Sequence, residues 1–126
     1  YPGLSTHPGH DIAAQQQSGF GAMVSFELRG GVDAVRCLVQ QLKCYTLAES
    51  LGGVESLIAH PATMTHAAMP ADARALAGIQ DNLLRISVGI EAARDLVSDL
   101  RAGLDVVAEQ SARSVISPVS ALPVHW

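Results

Sequence analysis

Leu83-Leu84-Arg85-Ile86-Ser87-Val88 is the stretch from which the fold of this 126-residue chain is read. Its apolar and β-branched residues predict a strand. Side chains alternate along a strand, so Leu84, Ile86 and Val88 share one face while Leu83, Arg85 and Ser87 share the other. A single arginine is thereby aimed away from the apolar side. Its planar fork suits two parallel hydrogen bonds to a carboxylate, so a small acid is one reading of its partner. A solvated arginine on a half-exposed strand is the other.

Upstream of this strand, the polar, glycine-containing segment Glu49-Ser50-Leu51-Gly52-Gly53 reads as a loop. It follows Cys44 to Ala48, which predicts a second strand. Val54 to Ala59 predicts one or two helical turns that break before Pro61, because the residue preceding a proline avoids the α region. Pro70 to Leu76 suits a short helix with proline at its start. Toward the N-terminus, Ala22 to Leu28 sets Met23, Ser25 and Glu27 opposite Val24, Phe26 and Leu28, which is a strand pattern.

Gly30-Gly31 then marks a turn, and Val32, Val35, Leu38, Val39 and Leu42 recur at helical spacing, predicting a helix over 32–42. Ile12 to Ser18 predicts a short helix with Asp11 as N-cap, after an irregular lead-in from Tyr1. Downstream, Ile90, Ala93, Leu96, Val97, Leu100, Leu104 and Val107 trace one face of a helix expected to reach about Ala112. Residues 114–126, with Pro118 and Pro123, read as an irregular extension. Together these make an α+β domain: a small, mostly antiparallel sheet of about three strands with helices packed on one face.

With 48% hydrophobic and 16% charged residues the chain can bury an ordinary core. A net charge of -4 with eight basic residues spread along the sequence leaves no footprint for nucleic acid or an anionic membrane surface. No apolar run approaches the roughly 18 residues of a membrane span, and no signal-peptide pattern opens the chain, so a cytoplasmic location is expected. Cys37 and Cys44 lack metal or redox spacing and read as buried free thiols. His7, His10, His60 and His66 have no carboxylate or cysteine at ligand spacing, and no metal is expected. Lys43, the single lysine, reads as a cation at a helix C-terminus. The abrupt start at Tyr1 suggests a piece of something longer.

Five blocks stand in order at compatible spacing: Tyr1-Pro2-Gly3-Leu4, Gly19 to Leu28, Leu47 to Leu57, Pro61 to His66, and Leu84 to Glu91. Together they resemble the C-terminal domain of the Cys/Met-metabolism enzymes that use pyridoxal phosphate, most of all the cystathionine γ-synthase branch. The resemblance runs from Tyr1 to about Val106. It implies the C-terminal small domain of a fold-type I enzyme over residues 1–113, with the pyridoxal 5'-phosphate-binding N-terminal domain outside this chain. The family's catalytic lysine and cofactor-binding groups belong to that other domain, so no catalytic residue and no direct cofactor ligand is expected here, and the chain alone is expected to be inert.

The resemblance also implies roles by position. Arg85 matches the arginine that clamps the substrate α-carboxylate. Ser50 matches a residue beside that carboxylate and near the cofactor lysine, Thr65 a threonine supporting the same region, and Glu49 an acidic position tied to substrate choice. Read without the resemblance, Ser50 caps a helix, Thr65 satisfies a turn and Glu49 is a solvated charge. The implied activity is γ-replacement on O-succinylhomoserine by cysteine, in a cytoplasmic homotetramer with an amino acid as substrate. A γ-lyase or an O-acylhomoserine sulfhydrylase is the alternative within the family. A non-catalytic module that binds an amino acid through Arg85 is the alternative from another class.

Overall fold

The computed structural model describes residues 1–116, with side chains through Arg113. Eight elements follow one another: α1 (His10–Gln16), β1 (Met23–Glu27), α2 (Gly31–Gln41), β2 (Thr46–Leu47), β3 (Leu57–Ala59), α3 (Ala71–Leu76), β4 (Leu83–Ser87) and α4 (Ala93–Ile116). The strands form one mixed sheet in the order β1-β4-β3-β2. β4 runs antiparallel to β1 and to β3, and β2 lies parallel to β3. The α+β class holds, with four strands rather than about three.

The alternation of β4 builds the core. Leu84 and Ile86 are buried with Ile58 of β3, against Ala34, Val35, Cys37 and Leu38 of α2 and Leu96 and Val107 of α4. Register carries that face across the sheet, since Val24 pairs with Ile86 and Phe26 with Leu84. Fully burying one such leucine is worth about 1.5–3 kcal/mol. α2 and α4 meet closely at Gly103, where a Cβ would come 2.8 Å from Leu38 Cδ1. The other two helices are peripheral. α3 buries no residue and α1 only Ala13, although His10 stacks on Phe20 with ring centroids 5.1 Å apart.

Several boundaries differ from the sequence reading for identifiable reasons. Val54 to Ala59 is not helical: Leu57, Ile58 and Ala59 form β3, buried on both faces between β4 and β2. A short, wholly apolar run carries no period, so only its neighbours decide between strand and helix. The strand expected over 44–48 shrinks to Thr46–Leu47, because the N–H groups of Lys43 and Cys44 donate to the Asp99 carboxylate of α4 rather than to a ladder.

At the first helix, Gly9 and not Asp11 occupies the N-cap, and Asp11 lies inside the first turn, where its charge still favours the positive helix end. α4 starts at Ala93, leaving Ile90 82% exposed and Val97 55% exposed outside the expected buried face. It continues to Ile116, so residues 114–116 are helical, and the remainder of the expected extension lies outside the described residues. Gly30, at the turn into α2, has φ +103°, a backbone conformation that favours glycine.

Candidate functional site

The face of the sheet opposite the helices carries Arg85. In register it lies between Ser25 of β1 and Ala59 of β3, in the middle of the sheet rather than at an edge. The loop between β2 and β3 crosses this face, and Arg85 Nη2 donates to the Ser50 carbonyl at 3.3 Å. Arg85 Nε is sealed from solvent with no hydrogen-bond partner. A buried donor left unpaired costs about 1–3 kcal/mol, and Arg74 Nε bears the same cost. The half-buried guanidinium thus retains donor capacity directed at the loop side of the sheet.

Of the four residues singled out in the sequence, the fold brings Arg85 and Ser50 together, through the Ser50 backbone. Glu49 is exposed and next to Ser50 in the chain. Thr65 is exposed in the turns after β3, and its hydroxyl pairs with the neighbouring His66 Nδ1 at 2.8 Å.

Ser87 shares the Arg85 face as the alternation requires, and three further residues of the site, Ser56, Gly89 and Glu91, escaped the sequence reading. Continuing past Arg85 in steps of two, Ser87, Gly89 and Glu91 all meet the same loop. Gly52 N–H donates to Ser87 Oγ at 2.8 Å. Gly89 N–H donates to Ser56 Oγ at 2.9 Å. Glu91 accepts from Ser56 N–H at 2.7 Å and from Ser56 Oγ at 2.8 Å. These bonds hold the Glu91 carboxyl below its ordinary range, first through the Ser56 N–H, then its own N–H, then the Ser56 hydroxyl, against a smaller opposing effect of burial. The two-residue spacing Arg85, Ser87, Gly89, Glu91 was the available signal. It was missed because the strand was taken to end at Val88 with a helix from Ile90.

Elsewhere, Cys37 is buried and Cys44 half-buried, both as free thiols. The Cys44 thiol is pushed up by burial and then by Asp99, Asp95 and Glu91. Among the described residues no three His, Cys, Asp or Glu side chains are grouped to hold a metal ion, and no helix is long and apolar enough to cross a membrane.

A family model described as Cys/Met metabolism PLP-dependent enzyme matches residues 1–105. The chain belongs to this family. It is 59% identical over 103 residues to cystathionine γ-synthase of Escherichia coli strain K12, covering 82% of this chain and 27% of that protein. It is 52% identical over 107 residues to L-methionine γ-lyase of Fusobacterium nucleatum subsp. polymorphum, covering 85% and 27% respectively. Among solved structures, cystathionine γ-synthase from Xanthomonas oryzae pv. oryzae in complex with cystathionine superimposes with a TM-score of 0.82 at 69% identity, covering 86% of this chain and 28% of that one. The chain thus spans about a quarter of the length of the relatives it matches.

The family's cofactor is pyridoxal phosphate, which supplies an electron sink to bound amino acids. Lys43, the single lysine of this chain, does not fit a Schiff-base role with it. A Schiff-base lysine needs a desolvated pocket, whereas Lys43 is exposed, with its backbone N–H donated to Asp99 of α4 on the helical side of the sheet, away from Arg85.

Proposed function

We propose that residues 1–113 are the C-terminal small domain of a pyridoxal-phosphate enzyme of transsulfuration and supply its substrate-carboxylate site. The observation that carries this reading is the Arg85 guanidinium, set in the middle of a sheet with a sealed, unpartnered Nε and one Nη bonded to the Ser50 loop. A carboxylate is the ligand whose two oxygens match that fork. Holding it fixes rotation about the bond to the α-carbon, and orientation of this kind lowers a barrier by several kcal/mol. Arg85 aligns the substrate and transfers no proton. Ser50 lies beside the carboxylate, Glu49 faces the rest of the substrate and Thr65 supports the region from the turn after β3.

The reaction is γ-replacement on O-succinylhomoserine by cysteine, giving cystathionine. The similarity to two cystathionine γ-synthases, one solved with cystathionine, favours it. Cystathionine γ-lyase or O-acylhomoserine sulfhydrylase chemistry is the alternative, and the methionine γ-lyase likeness keeps a lyase in view. The cofactor is held by an N-terminal domain, in a cytoplasmic homotetramer serving methionine biosynthesis. The chain by itself is inactive, because Arg85 positions a substrate whose chemistry occurs on groups outside it.

The test is Arg85→Ala in the complete enzyme. kcat/KM for carboxylate-bearing substrates is expected to fall about a hundred- to ten-thousand-fold, roughly 3–5 kcal/mol, with little change in Tm. Unaltered steady-state kinetics would sink the assignment.

A further inference from the structure

The loop over Arg85 is not held by apolar burial. Leu51 is 55% exposed and Val54 66% exposed, and every residue from Glu49 to Glu55 lies at the surface. Two glycines, Gly52 at φ +73° and Gly53, add backbone freedom. Something else fixes where Ser50 stands.

That something is the polar row Arg85, Ser87, Gly89 and Glu91. It meets the loop in matching order: Ser50 with Arg85, Gly52 with Ser87, Val54 and Ser56 with the 89–90 segment, and Ser56 with Glu91. Ile90 N–H donates to the Val54 carbonyl at 2.9 Å, adding a backbone bond to the row. At Gly89 the two segments approach so closely that a Cβ would clash with the Val54 carbonyl oxygen and come 2.6 Å from both Glu55 C and Glu91 Oε2. The far end of the row is its firmest point. Ser56 is 0% exposed, and both its N–H and its hydroxyl donate to the one Glu91 carboxylate. Removing that carboxylate leaves two donors of a buried residue without an acceptor, and the hydroxyl is then free to turn away from Gly89.

We infer that Glu91, acting through Ser56, is a positioning residue that seats the Ser50 loop on Arg85 and so shapes the carboxylate site. This rests on the reading of Arg85 as the substrate clamp. Glu91 does not touch the substrate. It sits six residues beyond Arg85, anchoring the loop end remote from Ser50, and its effect reaches the clamp through the Gly52 and Ser50 contacts. Being itself exposed, Glu91 can be replaced without opening the core.

The test compares Glu91→Ala, Glu91→Gln and Arg85→Ala in the complete enzyme, reading amide exchange of the peptide spanning residues 50–56 together with KM and kcat separately. Glu91→Ala is expected to speed loop exchange about tenfold and raise KM for the amino-acid substrate about tenfold, with kcat changed less than about threefold. Glu91→Gln keeps a carbonyl acceptor for the Ser56 N–H and is expected to restore KM to within about threefold of the parent. Unchanged loop exchange in Glu91→Ala overturns the proposal. So does faster exchange with KM unmoved while Arg85→Ala raises it, or a loss that Gln does not rescue. If Arg85→Ala leaves KM alone, the clamp reading fails instead, and loop exchange by itself then decides whether Glu91 seats the loop.

Discussion

The two faces of the sheet are held by different physics. On the helical face Leu84, Ile86 and Ile58 are buried to 3% exposure or less against α2 and α4, and their contribution is non-directional. On the other face the same strand presents Arg85 and Ser87, and the chain continues through Gly89 to Glu91, each meeting one part of a surface loop at hydrogen-bond geometry. Apolar burial tolerates small adjustments of shape, whereas a hydrogen bond lost by an ångström is lost altogether. One strand thus divides labour between its faces: stability on one, placement of a charged group on the other.

Crossing the faces tests that division most strongly. Arg85→Ala is expected to produce the largest effect of all, on kcat/KM, while leaving Tm nearly in place. Leu84→Ala, one residue away, should do the reverse: it removes a fully buried side chain and is expected to cost about 2–5 kcal/mol in denaturant unfolding, with KM of the folded enzyme little changed. Equal loss of stability from both variants would erase the distinction between the faces.

A smaller effect sharpens the comparison on the helical side, where one polar clamp also exists. The Asp99 carboxylate accepts from Lys43 N–H and Cys44 N–H at 2.8–3.1 Å. Asp99→Ala should cost about 1 kcal/mol, since water replaces part of the loss at this partly exposed site. It also removes one of the charges that raise the Cys44 thiol, after burial itself, so alkylation of Cys44 is expected to quicken. An unchanged alkylation rate would leave burial, Asp95 and Glu91 as the causes.

The smallest expected effect is the response of the polar face to acid. The folded-state value of Glu91 is depressed from 4.5, so its contribution is complete above that value and disappears as pH falls through the lower folded value. Protection of the Ser56 amide, taken as its exchange relative to the intrinsic rate at each pH, should therefore fall in acid below the ordinary carboxylate range. Glu91→Gln should remove that dependence, and a variant that keeps the same acid profile would assign the titration to another carboxylate.

Much of this was legible in the residues. The alternation in Met23–Glu27 and Leu83–Ser87 and the helical spacing of Val35 with Leu38, and of Leu96 with Leu100 and Leu104, place core faces because each period is repeated enough times to stand above chance. Arg85 stood out for the same reason, as a charge on the off-beat of an apolar strand. Gly89 and Glu91 were hidden because the alternation continues past the ladder, which ends at Ser87, into a segment with no strand partner. Their common spacing matters only once a loop lies across them.

By itself the sequence determined which strand is central in chemistry, which of its faces is apolar, and that Arg85 points away from the core, since these follow from a two-residue period acting over a few neighbours. Tertiary structure alone decided that Leu57–Ala59 is a strand and that the Glu49–Ser56 loop rests on the Arg85 side, anchored at Glu91. Both depend on contacts between segments 26 to 35 residues apart. No local period encodes such contacts, because they arise only when the sheet has brought those segments together.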